Sequence, residues 1–159
     1  MTDKTAAFSA MVERHSDLIW HICSDYSLSA AWEVEDAFQE VMCVLWRDYE
    51  QFDRRSKERT WVYRVATNTM LMLKRKKSNQ PQPLIEKIPD TPSPDTENYR
   101  LLLQLIDQLN DTDARIIRAH LDGFHNYEIA QMTGLSLATV TRRLAKAKHL
   151  LRKQYSQQI

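Results

Sequence analysis

The sequence predicts an all-α protein: two small helical domains joined by a proline-rich linker. Three observations point that way. Only 2 glycines occur in 159 residues, and glycine is what tight hairpins and phosphate-cradling loops require. Apolar residues recur at spacings of three and four, the pattern of one buried helix face. All 5 prolines (Pro81, Pro83, Pro89, Pro92, Pro94) fall in "SNQPQPLIEKIPDTPSPDTEN", where each removes a backbone donor and pushes its predecessor away from helical geometry. The length suits one medium domain or two small ones. Domains are therefore expected at 1–77 and 98–159, with a linker at 78–97 in which Leu84, Ile85 and Ile88 offer apolar points of contact.

In the first domain, helices are expected near 5–24, 30–50 and 58–77. In the second they are expected near 97–109, 112–121, 126–133 and 137–155. Ser29, Asp111, Asn126 and Ser136 are suitable N-caps, because a short polar side chain there can accept from an otherwise unpaired amide. In the helix near 30–50, Val34, Ala37, Phe38, Val41, Val44 and Leu45 form a core stripe. Its other face carries Asp36, Gln39, Glu40, Cys43 and Trp46, with Trp32 one turn before Asp36. Tryptophan on a polar face favours an interface, and the neighbouring acids suit a basic partner. The alternative is that Trp46 packs on an adjacent helix.

In "ERTWVYRVATNTMLMLKRKK", Val62, Val65, Ala66, Thr69, Met72 and Leu73 are expected to face inward. Arg64, Asn68, Leu71 and Arg75 line the outer face, with Trp61 at its edge. Cations, an amide and an aromatic can hold a nucleic-acid strand through phosphate pairing and base stacking. The plainer reading makes Trp61 a core residue and Lys74–Lys77 a solvated helix end that complements the dipole.

In the second domain, "NYEIAQMTGLSLATVTRRLAKAKHLLRK" gives a short helix, a glycine turn and a longer basic helix, the layout of a helix-turn-helix. On a wheel of about 100° per residue, Leu137, Val140, Leu144, Ala147 and Leu151 form an apolar stripe. Thr139, Arg142, Lys146, His149 and Lys153 lie opposite, with Arg143 beside them. Thr139, Arg142 and Lys146 are placed to reach base edges; Ser136, Thr141 and Arg143 are placed to reach phosphate. Against this stands the possibility of an ordinary solvated basic face.

The net charge of +1 hides strong segregation. Residues 1–46 carry 2 basic and 8 acidic side chains, and residues 84–113 carry 2 and 7. Residues 47–77 carry 10 basic and 4 acidic, and residues 137–155 carry 6 and none. Basic blocks suit phosphate and acidic blocks suit a basic protein surface.

Other classes find little support. Two cysteines without a CxxC motif, no apolar N-terminal core of signal length and no apolar run of membrane length predict a cytoplasmic chain with free thiols and no membrane insertion. The motifs G-x-S-x-G and HExxH are absent, as is any glycine-rich phosphate loop, so no enzyme and no cofactor is expected. His15, His21, Cys23 and Cys43 match no metal-ligand spacing; packing is expected for them and no metal site.

Taken together, "VEDAFQEVMCVLW", "RTWVYRVATN" and "NYEIAQMTGLSLATVTRRLAKAKHLLRK" resemble, in that order, regions two and four of bacterial RNA polymerase sigma factors. The resemblance is to the extracytoplasmic-function group of the sigma-70 family. It implies a transcription initiation factor that binds core RNA polymerase, melts promoter DNA with region two and anchors upstream DNA with region four. Asp36, Gln39 and Glu40 match positions that bind the β′ clamp helices, and the β subunit is a further implied partner. Trp46 is assigned to the same surface. Asn68, with Trp61, Arg64 and Arg75 around it, matches the region that holds the minus-ten element. The loop "RDYEQFDRRSKE" matches one that captures a flipped base. Thr139, Arg142 and Lys146 match readers of the minus-thirty-five element. An anti-sigma factor commonly covers the polymerase-binding surfaces in this group. This chain departs from the pattern at Thr67, Met72 and "VTRRL". The rival reading is a sigma-like DNA-binding regulator that does not engage polymerase; a third is an interaction module that titrates an inhibitor.

Overall fold

A computed structural model describes residues 3–27, 33–78 and 94–157. Their regular structure is helical throughout: α1 (Asp3–Ser27), α2 (Val34–Asp48), a 3-10 turn (Tyr49–Gln51), α3 (Glu58–Ser78), α4 (Pro94–Asp107), α5 (Asp111–Leu121), α6 (Asn126–Thr133) and α7 (Leu137–Gln157). The chain forms two compact units, Met1–Glu86 and Lys87–Ile159. The expected linker lies mostly outside the described residues, as do Ser29 and Trp32. Its last part does not: α4 starts at Pro94, three residues earlier than the apolar pattern indicates. Proline suits the first helical position, since its missing N–H has no intrahelical acceptor there.

In the first unit each of α1, α2 and α3 packs on the other two. Met11, Ile19 and Ile22 of α1 meet Val41 and Leu45 of α2 and Val62 and Met70 of α3 in a core closed to solvent. Each such side chain contributes about 1.5–3 kcal/mol by leaving water. The inward face of α3 differs from the expected one. Met72 is 45% exposed, while Tyr63, Thr67 and Met70 are buried. Two neighbouring helices flank α3, so its buried arc is wider than the apolar stripe and rotated from it. Threonine tolerates this burial because its hydroxyl bonds back to the helix: Thr67 Oγ1 donates to the Tyr63 carbonyl at 2.8 Å and Thr69 Oγ1 to the Val65 carbonyl at 2.8 Å.

In the second unit α7 lies against α4, α5 and α6. Leu105, Ile106, Ile116, Ile129 and Val140 fill the centre. Two caps fall one residue before their expected places. Asn110, not Asp111, caps α5 by accepting the Asp113 N–H at 2.9 Å. His125, not Asn126, sits at the α6 N-cap, and its N–H donates to the Glu128 carboxylate at 3.1 Å. Gly134 ends α6 at φ 74°, its N–H donating to the Ala130 carbonyl at 2.9 Å. An L side chain is strained in that left-handed region. Ser136 caps α7 as expected, its Oγ accepting the Thr139 N–H at 3.2 Å.

Candidate functional site

Three exposed faces carry the candidate residues. The first is the outer side of α2. Val41 and Leu45 are fully buried beneath it, so Asp36, Gln39, Glu40, Cys43 and Trp46 all stand exposed. Trp46 is 39% exposed and also packed. Its ring lies edge-on to Phe8 of α1 at 5.1 Å, and Lys4 Nζ sits 4.1 Å over it. The indole is thus held in one orientation while its remaining surface faces solvent. Trp20, 44% exposed against Phe38 at 5.6 Å, adds a second aromatic to this unit's surface. Sequence reasoning missed it; the available signal was the run Leu18, Ile19 and Trp20, three consecutive apolar residues that one buried helix stripe cannot hold.

The second face is the outer side of α3. Arg64, Asn68 and Arg75 are exposed, and Leu71 is half-buried. Trp61 is half-buried, its ring 5.0 Å from Phe52 and 6.4 Å from Tyr49. It props the segment between α2 and α3 rather than lying in a core. In that segment Arg54 adopts φ 62°, and Asp53 accepts the Arg55 N–H at 3.1 Å. Arg54, Arg55 and Lys57 are exposed.

The start of α3 is pinned from α1 by contacts that no sequence motif announces. Arg14 grips Glu58 with Nε at 3.0 Å and Nη2 at 2.8 Å from Oε1, and Nη2 at 3.0 Å from Oε2; His15 Nε2 lies 2.8 Å from Oε1. Partial burial pushes the Glu58 carboxyl up, but the hydrogen bonds and charges of Arg14 and His15 outweigh it and hold the group below its usual range. Of the two histidines that match no metal-ligand spacing, His15 is thus engaged with Glu58, and His21 Nε2 lies 3.1 Å from Asp25 on its own helix. Of the two cysteines weighed with them, Cys23 is buried and Cys43 exposed.

The third face belongs to α7. Val140, Leu144, Ala147 and Leu151 are buried as the stripe requires, but Leu137 is 52% exposed. A wheel treats every turn alike; at its first turn α7 has no preceding turn to cover Leu137. Arg142 and Lys146 are exposed. Thr139 is half-buried and its hydroxyl accepts from Ser136 Oγ at 2.8 Å. Thr141 Oγ1 donates to the Leu137 carbonyl at 2.9 Å and accepts from Asn126 Nδ2 at 3.3 Å. Arg143 is half-buried, with Nη1 3.5 Å from Asp113 of α5. Ser136, Thr139, Thr141 and Arg143 thus help hold the motif together, whereas Arg142 and Lys146 project from it.

Residues 11–80 match the family Sigma-70 region 2, and residues 99–151 match Sigma-70, region 4. The sigma factor RpoE of Cereibacter sphaeroides, of the extracytoplasmic-function (ECF) group, is 30% identical over 139 residues, covering 80% of this chain and 75% of that protein. This chain is a sigma-70 family member of the ECF group. The ECF sigma factor SigW of Bacillus subtilis is 25% identical over 168 residues, 93% of this chain and 88% of SigW. Two solved structures share the sigma factor's fold. CnrH, in complex with the cytosolic domain of CnrY, gives a TM-score of 0.70 at 20% identity over 96% of this chain and 89% of CnrH. RpoE of Bartonella quintana, in complex with the anti-sigma factor NepR, gives 0.67 at 18% identity over 91% and 96%.

The protein is accordingly a transcription initiation factor, one that binds core RNA polymerase and brings it to promoter DNA. That assignment is favoured over a regulator that has lost the polymerase. Its family is non-enzymatic. Among the described residues no helix of this sigma factor is long and apolar enough to cross a membrane.

Proposed function

We propose that the outer face of α2 is the polymerase-docking surface, with Asp36, Gln39 and Glu40 supplying charge and hydrogen bonds and Trp46 an aromatic anchor. The observation that carries this is the division of α2: acids, an amide and an oriented indole on the open side, Val41 and Leu45 sealed on the other. Residues 1–77 then act as the region that docks and melts, and 98–159 as the upstream anchor, joined through 78–97. The α3 face, with Trp61, Arg64, Asn68 and Arg75, holds the opening minus-ten strand. The 52–57 segment captures an extruded base; extrusion costs a few kcal/mol, which contacts in that pocket and in the polymerase offset. Arg142 and Lys146 of α7 read the minus-thirty-five element, while Ser136, Thr139, Thr141 and Arg143 fix the helix against the backbone. The chain works in the cytoplasm and catalyses nothing itself. Because the Bartonella RpoE is seen with an anti-sigma factor, and CnrH with the cytosolic domain of CnrY, we infer that an anti-sigma factor also masks this chain.

The test is run-off transcription with core polymerase and a genomic promoter library. Wild-type protein starts transcripts at discrete sites only when core is present. Glu40→Arg abolishes core capture in a pull-down and with it transcription. Undiminished core binding by that variant would remove α2 from the interface.

A further inference from the structure

Leu137 is an apolar side chain left in water where its own helix offers burial. The four other members of its stripe are buried, yet it remains 52% exposed. Residues at the start of a recognition helix are the ones that enter the major groove and meet base edges. The neighbouring exposed positions carry Ala138, Thr141, Arg142 and Ala145. Alanine and threonine are small enough to let the helix backbone come close to the bases. The Thr141 hydroxyl is engaged by the Leu137 carbonyl and the Asn126 amide, so its methyl is the part left over. The start of α7 therefore presents an apolar strip beside the exposed Arg142, while Arg143 leans on Asp113. In the major groove one feature suits an apolar side chain, the C5-methyl of thymine.

We infer that Leu137 is a specificity-determining residue that packs on a thymine C5-methyl in the upstream promoter element, next to the pair read by Arg142. The inference rests on the assignment of α7 to the minus-thirty-five element. It gives Leu137, rather than the half-buried Thr139, the direct contact with a base. Ser136, by capping α7 through the Thr139 N–H, fixes the turn on which Leu137 stands. The substrate feature is thus a T·A pair in one orientation, in which Leu137 senses the position of the methyl group.

The experiment uses reconstituted holoenzyme. The upstream element is first obtained by selecting bound sequences from a randomised promoter pool. Each thymine in it is then replaced singly by deoxyuridine, which differs only in lacking the methyl. Wild-type holoenzyme loses about fourfold in affinity at one position, the factor that burial of one methyl-sized group gives. Leu137→Ala holoenzyme binds the thymine promoter correspondingly more weakly and is indifferent to deoxyuridine at that position. The substitution keeps a strong helix former at an exposed site, so the fold is retained. If no thymine is methyl-dependent, or if the dependence persists in Leu137→Ala, the inference is overturned. Arg142→Ala, measured alongside, separates the two levels. Weakened binding by Arg142→Ala without any methyl dependence overturns the role of Leu137 and leaves α7 as the reader. Unchanged binding by both variants, or no upstream preference in the selection, overturns both.

Discussion

Cys23 and Cys43 are the same chemistry in opposite surroundings. Burial pushes the Cys23 thiol up to about 12, so almost no thiolate exists at neutral pH. Cys43 is exposed on α2, on the same face as Gln39, Glu40 and Trp46. A maleimide at pH 8 should therefore label Cys43 in the folded protein and reach Cys23 only after denaturation, as read by mass spectrometry. Core polymerase should protect Cys43 by at least an order of magnitude in rate if α2 docks where proposed. Equal labelling with and without core would sink that assignment. At this scale the sequence is legible where a periodic pattern fixes the side: the exposed set on α2 follows directly from the stripe opposite. It is not legible where partners come from afar. Nothing at Arg14 or His15 points to Glu58, because their meeting depends on how α1 crosses α3.

The helix-turn-helix turns on Gly134. At φ 74° it occupies the left-handed region, and a Cβ there would meet nothing within 4 Å. The expected cost of Gly134→Ala is thus purely conformational, about 1–2 kcal/mol. Thermal unfolding should show a lowered midpoint, with Gly134→Asn retaining more stability because asparagine tolerates this conformation better. Equal stability of all three proteins would mean that the turn relaxes to another geometry. Element type and order were readable from spacing and from this glycine. Element ends were less so. Asn110 and Asp111 are adjacent and both competent, and only the chain's direction into α5 decides that Asn110 reaches the Asp113 amide. Met72 and Leu137 show the other limit. A wheel locates the apolar side of a helix but not which arc its neighbours cover, as Met72 shows, nor how far along the helix the cover reaches, as Leu137 shows.

Across the molecule, charge is laid out in alternating blocks, and the last, residues 137–155, holds 6 cations and no acid. If α7 displaces counterions from about five phosphates, log affinity for promoter DNA falls against log salt with a slope near −4.5 from this helix. Filter binding of holoenzyme at several salt concentrations measures it. Arg143→Gln, at the cation placed to reach phosphate, should reduce the slope by about 0.9, whereas Leu137→Ala should weaken binding at every salt concentration and leave the slope unchanged. A flat response would mark the block as merely solvated. The two-unit division was visible in the clustered prolines, but not the extent of α4, since Pro94 both belongs to that cluster and opens the helix. The hydroxyls of Ser136, Thr139 and Thr141 are all tied up inside the turn that carries α7. This separates two tasks that many proteins assign to the same atoms. One group of side chains maintains the scaffold, and another, chiefly Leu137, Arg142 and Lys146 on the assignment of α7 proposed above, states the address. A factor built this way can be redirected to a new promoter set by changing two or three codons, with its scaffold left untouched.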